Sequence, residues 1–156
     1  MIKEDIADFF NNTKRVGPFL GIDLGEKRVG LSISDRTQSI ASNYATLEKK
    51  KFSVFSLNLK AIIDKEIICG IVIGLPLNMD GSEGPKCQST RDFAKNFSKI
   101  VNPPITFWDE RLTTVAAERS LLSADLSRKK RQRVVDSVAA VLILQNVLDR
   151  LKNLKK

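Results

Sequence analysis

Asp23 stands in the run Phe19-Leu20-Gly21-Ile22-Asp23-Leu24-Gly25, a carboxylate inside an apolar stretch with a glycine two residues to either side. In a strand, alternate side chains share a face, so Phe19, Gly21, Asp23 and Gly25 point one way and Leu20, Ile22 and Leu24 the other. A lone carboxylate is costly to bury unless something pairs with it. The glycines imply cleared space beside the acid, where a metal ion, a cation or a polar ligand is expected. Taken alone, the motif fits equally well an acid that closes a strand at the turn Gly25 begins.

Further carboxylates stand late in the chain. Asp109-Glu110 end the short segment Ile105-Thr106-Phe107-Trp108, and Asp136 heads an apolar stripe continued by Ala140, Ile143 and Val147 at helical spacing. Ligands of α/β sheets bind outside the strand ends, so acids leaving an early and a late strand can converge there. Asp136 would also suit the positive end of a helix dipole, although an apolar stripe should turn its acid toward the sheet. Three converging carboxylates repel one another, and divalent cations relieve that repulsion. Hard oxygen donors suit Mg²⁺ or Mn²⁺, and a pair of such ions can activate a water and stabilise the leaving oxygen of a phosphodiester.

Composition points the same way. The chain has no histidine, which excludes Ser/His/Asp and Cys/His nucleophile systems and His-ligated zinc. Cys69 and Cys87 are its two cysteines, and they form no CxxC pair, which argues against a disulfide framework or a thiolate zinc site. Formal net charge is +8, concentrated after Asp125, where nine Lys and Arg face only Asp136 and Asp149. Clustered cations of this kind suit a polyanionic partner, and Arg128, Lys129, Lys130, Arg131 and Arg133 stand just before Asp136, where they could hold a nucleic-acid backbone. A solvated helix surface is the plainer reading of the same residues. Lys49-Lys50-Lys51 mark a second cationic run, at a helix start where the dipole disfavours them.

The elements that must position these groups follow from periodicity. Residues 1–15 read as an amphipathic helical extension, with Ile2, Ile6, Phe9 and Phe10 at helical spacing, appended to a single domain over residues 16–156. A strand at 19–23, a turn at 25–27 and a return at 28–34 form a hairpin, and a third strand is expected near 39–46. A helix over 51–65 leads into the apolar run 67–74, of the kind buried in parallel sheets. A Gly- and Pro-rich loop over 75–85 then precedes a helix near 86–99 and a strand at 105–108. Thr113 or Thr114 could cap a helix carrying Val115, Ala116, Leu121 and Leu122, and a basic loop over 127–133 should precede a last helix over 134–151. An antiparallel opening followed by βαβ units predicts an α/β domain with a mixed sheet flanked by helices. No apolar run approaches the roughly 18 to 20 residues of a membrane span, and the acidic first residues do not read as a secretion signal, so a cytoplasmic protein is expected. Phe107 and Trp108 read as core, and both cysteines as inert.

Four segments together carry a family resemblance: Gly21-Ile22-Asp23-Leu24-Gly25 with Lys27-Arg28-Val29-Gly30; Val72-Ile73-Gly74-Leu75-Pro76-Leu77-Asn78-Met79-Asp80-Gly81-Ser82; Asp109-Glu110-Arg111-Leu112-Thr113-Thr114; and Val135-Asp136-Ser137-Val138-Ala139-Ala140. Over residues 18–150 the sequence resembles the YqgF/RuvX family of pre-16S rRNA nucleases or Holliday-junction-resolvase-like proteins with a ribonuclease H-like fold. The resemblance implies that Asp23, Glu110 and Asp136 are the catalytic, metal-binding set, with Asp109 a neighbour of undecided role. It implies a hydrolase that matures the 5′ end of small-subunit rRNA, with junction resolution in DNA as the alternative, working as a monomer or a homodimer. Lys27, Arg28, Asn78 and Arg111 join the basic tail as candidates for holding nucleic acid, Arg111 either by pairing with phosphate or by locking Glu110 in place. Two other classes compete. ATP-binding proteins related to actin also place a glycine-flanked Asp on a first strand, but need a second lobe this chain is too short to supply. A non-catalytic RNA-binding module would need only the basic tail.

Overall fold

The structure is a computed structural model that describes residues 1–111 and 128–155, with side chains over 1–111 and 138–155. Its centre is a five-stranded sheet of β1 (Phe19–Leu24), β2 (Arg28–Ser34), β3 (Ala41–Glu48), β4 (Gly70–Leu75) and β5 (Ile105–Asp109), in the order β3-β2-β1-β4-β5. The first three strands form antiparallel pairs, while β4 and β5 run parallel to β1. Strands β1, β3, β4 and β5 therefore end at one edge of the sheet. That is the mixed α/β architecture expected from the order of segments.

Alternation along β1 sorts the core into two halves. Leu20 and Ile22 join Leu31, Ile71, Ile73 and Ile105 beneath helices α2 (Phe52–Glu66) and α3 (Pro85–Phe97). Phe19 and Val72 join Ile143, Leu144, Val147 and Leu151 of helix α4 (Arg128–Leu154) on the other face. Ile67 and Ile68, expected to open β4, instead finish the turn after α2: Ile67 adopts the left-handed conformation (φ 55°), its N–H bonded to the Ile63 carbonyl.

The N-terminal residues are built into the domain. Helix α1 covers only Ile6–Asn11, capped by Asp5, and buries Phe9 and Phe10 against α4 and Phe19. Residues 1–3 pair along β5, with Lys3 N–H donating to the Ile105 carbonyl (2.8 Å) and Ile105 N–H to that of Met1 (2.8 Å). They cover the open edge of the sheet. The expected basic loop over 127–133 is corrected as well: Arg128 to Arg133 lie within α4, consistent with the good helix propensity of Arg, Lys and Gln. The expected helix carrying Val115 to Leu122 lies outside the described residues. Among the described residues no helix is long and apolar enough to cross a membrane.

Candidate active site

At the edge where β1, β4 and β5 end, Asp23 and Glu110 meet. Asp23 is the penultimate residue of β1, partly exposed, and faces α4. Glu110 follows β5 directly, and its N–H donates to the Leu75 carbonyl (3.1 Å), which keeps it in register as the strand ends. Its side chain lies back over β4, across Gly74. A Cβ at Gly74 would stand 2.7 Å from Glu110 Cγ and Cδ and 2.5 Å from Ile143 Cδ1, so only glycine admits both side chains. Glu110 is 8% exposed. Burial raises its carboxyl far above the ordinary range, and a hydrogen bond with Asp23 and the charges of Asp23 and Asp109 push in the same direction. A divalent cation held between the two carboxylates would neutralise both. The donors are hard oxygens at a strand end open to solvent on the Asp23 side, which fits Mg²⁺ or Mn²⁺.

The glycines beside Asp23 do other work than the sequence suggested. A Cβ at Gly21 would meet Ser32 Oγ at 2.2 Å, Leu144 Cβ at 2.9 Å and the Ala140 carbonyl oxygen at 3.1 Å, so this space is filled by α4 rather than open to a ligand. Ser32 Oγ donates to the same Ala140 carbonyl (2.7 Å), pinning the helix to the sheet. At Gly25 a Cβ would stand 2.5 Å from the Arg28 carbonyl oxygen, which accepts the Gly25 N–H (2.9 Å) and closes the tight turn. Gly21 also sets the height of α4. From Ala140, one helical turn toward the N-terminus rises about 6 Å to residue 136; from Gly21, two strand residues rise about 6.6 Å to Asp23. Asp136 stands one helical turn before Ala140, on the part of α4 that precedes its contact with Gly21. Its side chain, and those of Arg128, Lys129, Lys130, Arg131 and Arg133, lie outside the described residues. Among the described residues no three acids or cysteines gather into a metal cage.

Asp109, next to Glu110, turns to the opposite face and is occupied by Arg111. Arg111 Nη2 and Nε donate to Asp109 Oδ2 (2.6 and 2.8 Å), the Arg111 N–H donates to Oδ1 (3.0 Å), and the Asp109 carboxyl is held below its ordinary range. Arg111 Nη1 also reaches the Met79 carbonyl (3.3 Å), tying β5 to the glycine-rich loop. The arginine therefore pairs with Asp109, not with Glu110. Within that loop Asn78 Nδ2 donates to Ser82 Oγ (3.0 Å), and Asp80 Oδ1 accepts from Ser82 N–H (2.9 Å) and Oγ (2.6 Å), so the loop is set by its own side chains. Lys27 is exposed at the β1–β2 turn. Arg28 shares the α4 face with Asp23, and its Nη1 is buried with no hydrogen-bond partner among the described residues. Sequence reasoning missed Gly74; a glycine inside an otherwise continuous apolar strand was the available signal.

A mixed sheet of this order, β3-β2-β1-β4-β5, is that of the ribonuclease H-like fold. The solved structures agree on the fold: Thermus thermophilus RuvC in complex with a Holliday junction substrate superposes with a TM-score of 0.53 at 11% identity, covering 86% of this chain and 96% of that one. The fowlpox virus Holliday junction resolvase superposes with a TM-score of 0.52 at 11% identity, covering 85% and 99%. The chain belongs to the RuvX family, whose model, described as Holliday junction resolvase, matches residues 17–150. A relative from Ruegeria pomeroyi, named for a proposed pre-16S rRNA nuclease activity, is 51% identical over 99% of this chain and 100% of its own length. One from Cereibacter sphaeroides with the same name is 54% identical over 97% of this chain and 94% of its own. With 99% of this chain aligned to the Ruegeria protein, the N-terminal segment that precedes the family model is shared with that relative.

Proposed function

We propose that this chain is a divalent-metal-dependent nuclease that cleaves phosphodiester bonds in structured nucleic acid, that its task is maturing the 5′ end of pre-16S rRNA, and that Asp23, Glu110 and Asp136 form the metal-binding catalytic set. The observation that carries this reading is the contact of Asp23 with Glu110 across Gly74. A buried Glu110 carboxylate beside a second acid is relieved by a cation, and phosphodiester chemistry without histidine is served by the same cation. When bound there, Mg²⁺ or Mn²⁺ supplies the positive charge that lowers the pKa of an attacking water and stabilises the departing oxygen. Asp23, nearer solvent, offers oxygens toward the substrate side, while Glu110 is the fixed donor, immobilised by the Leu75 carbonyl and Ile143. Lys27, Arg28 and the basic first turns of α4 hold the backbone, and Asn78 with its loop approaches it. Acting on pre-rRNA puts the enzyme in the cytoplasm. The relatives' name supports RNA as substrate; the family description favours, as a second reading, a four-way DNA junction.

Wild type, Asp23→Asn and Asp136→Asn, incubated with precursor rRNA fragments and with a four-way DNA junction in Mg²⁺, Mn²⁺ or chelator, test both readings. Cleavage of the rRNA fragment by wild type, lost in chelator and in both variants, is the expected result. Cutting that persists in chelator or in Asp23→Asn overturns the mechanism, and cutting of the junction alone replaces RNA with DNA as substrate.

A further inference from the structure

On the face of the sheet opposite the acids, a groove of about 470 Å³ opens at the same edge, between the first turn of α2 and the length of α3 from Lys86 to Asn96. Its floor is Leu24, Gly25 and Pro76, the residues that directly follow Asp23 and Leu75, so it adjoins the acid pair across the ends of β1 and β4. Lys49, Lys50 and Lys86 line it together with the carboxylates Glu26 and Asp92, which leaves the lining with one net positive charge. Lys86 is paired with Glu26 (3.1 Å), whose carboxyl also feels the charge of Lys49; among the described residues neither Lys49 nor Lys50 makes a direct ion pair. These lysines stand at the positive end of the α2 dipole, where they work against the helix, and α2 has no side-chain cap and no acid in its first turn.

An aromatic series reaches the same groove from the core. Phe97, fully buried, stacks on Phe93 at 5.2 Å between ring centres, and Phe93 meets Phe52 edge-on at 5.8 Å. Phe52 is 40% exposed at the groove's lip, held by the rings beneath it. An exposed ring beside lysines is the chemistry that grips single-stranded nucleic acid, where bases stack on aromatics and phosphates lie on cations. Paired bases are already stacked within a duplex and cannot offer a face to Phe52. The volume suits one nucleotide-sized group rather than a helix.

We infer that this groove is a second nucleic-acid site, which holds an unpaired nucleotide of the substrate strand with its base on Phe52 and its phosphates at Lys49 and Lys50. The inference rests on the nuclease reading, because continuity with Asp23 is what ties the groove to the strand being cut. Occupied in this way, it selects substrates with unpaired nucleotides beside the cleaved bond.

Fluorescence anisotropy in chelator, with a labelled single-stranded RNA, a blunt RNA duplex and AMP as competitor, tests it on the full chain. Phe52→Leu should weaken single-strand binding about tenfold, the worth of one stacked base, while duplex binding stays near wild type. Phe52→Tyr should restore it. The double variant Lys49→Ser with Lys50→Ser should lower the salt slope of single-strand binding by about 1.4, for two phosphate contacts. Unchanged single-strand affinity in both Phe52→Leu and the lysine double variant overturns the site, as does equal loss on duplex and single strand. AMP competing as well as the oligonucleotide overturns the assignment to a strand. Because these readings need no cleavage, they stand apart from Asp23→Asn: if that variant still cuts, the catalytic reading fails while the affinities still decide the groove.

Discussion

Asp109 and Glu110 are consecutive carboxylates at the end of one strand, and the fold drives them to opposite electrostatic states. Asp109 turns outward to Arg111, whose guanidinium and N–H hold its carboxyl below the ordinary range. Glu110 turns inward over Gly74, where burial and Asp23 push its carboxyl up. One residue of strand period separates a solvated ion pair from a buried acid. The two faces of the sheet edge differ as well: the α4 face holds the buried Glu110 with Asp23 and Arg28 beside it, while on the α2/α3 face Phe52 stands open in a groove that lysines and acids line together. Low dielectric makes the Glu110 charge costly, and that cost is what a cation at the proposed site would relieve.

The largest test of this contrast is catalytic. Glu110→Gln should lower the rRNA cleavage rate by about 10³-fold, as expected for loss of a group stabilising transition-state charge, whereas Asp109→Asn should leave most activity; comparable losses in the two would erase the distinction. Next comes cation linkage, read as thermal stability. Mg²⁺ at about 100 times its dissociation constant should stabilise wild type by about 2.7 kcal/mol, and Asp23→Asn much less. An equal gain in both would move the metal elsewhere.

The two acids should also give opposite pH signatures in chelator. Glu110, raised in the folded state, binds a proton that the unfolded chain releases near 4.5, so stability falls as pH climbs from there toward its folded value. Asp109, lowered in the folded state, contributes stability above 3.8 that is lost as pH drops through its folded value. Denaturation across pH should therefore show Glu110→Gln flattening the alkaline fall and Asp109→Asn the acid one. Gly74→Ala comes next: its Cβ overlaps Glu110 and Ile143, so urea unfolding should register a loss of about 1 to 3 kcal/mol, with reduced cleavage. Asp109→Ala ranks last, at about 0.2 to 1 kcal/mol, because the Arg111 pair is partly solvated.

Much of this arrangement was legible in the chain. Alternation along Phe19 to Leu24 assigned each residue to its face, and the apolar spacing of Phe55, Leu59 and Ile63 located α2 within a residue or so. Acids at the ends of parallel strands converge, which pointed to Asp23 and the Asp109-Glu110 pair; the choice of Glu110 over Asp109 came from the family resemblance. Other readings failed for identifiable reasons. Gly21 looked like room for a ligand, but the room belongs to a helix more than a hundred residues away, bonded through Ser32 to Ala140. Residues 1–15 looked like an appendage because a short helix carries no mark of what it covers; Phe9 and Phe10 show their purpose only against α4.

The sequence by itself determined the residue types and the local order: no histidine, acids closing strands, cations bunched before Asp136, turns at Gly25 and Gly81. These follow from short-range rules, the two-residue period of a strand and the backbone freedom of glycine. Only the tertiary structure decided which neighbour each acid meets, because Asp109 and Glu110 have nearly the same chemistry and differ only in the face they are given. It also decided the glycines' roles, since whether a missing Cβ leaves a vacancy or a contact depends on what distant chain arrives there. Proximity between residues far apart in sequence is a property of packing, and that packing turned an ordinary glutamate into the buried half of a proposed metal site.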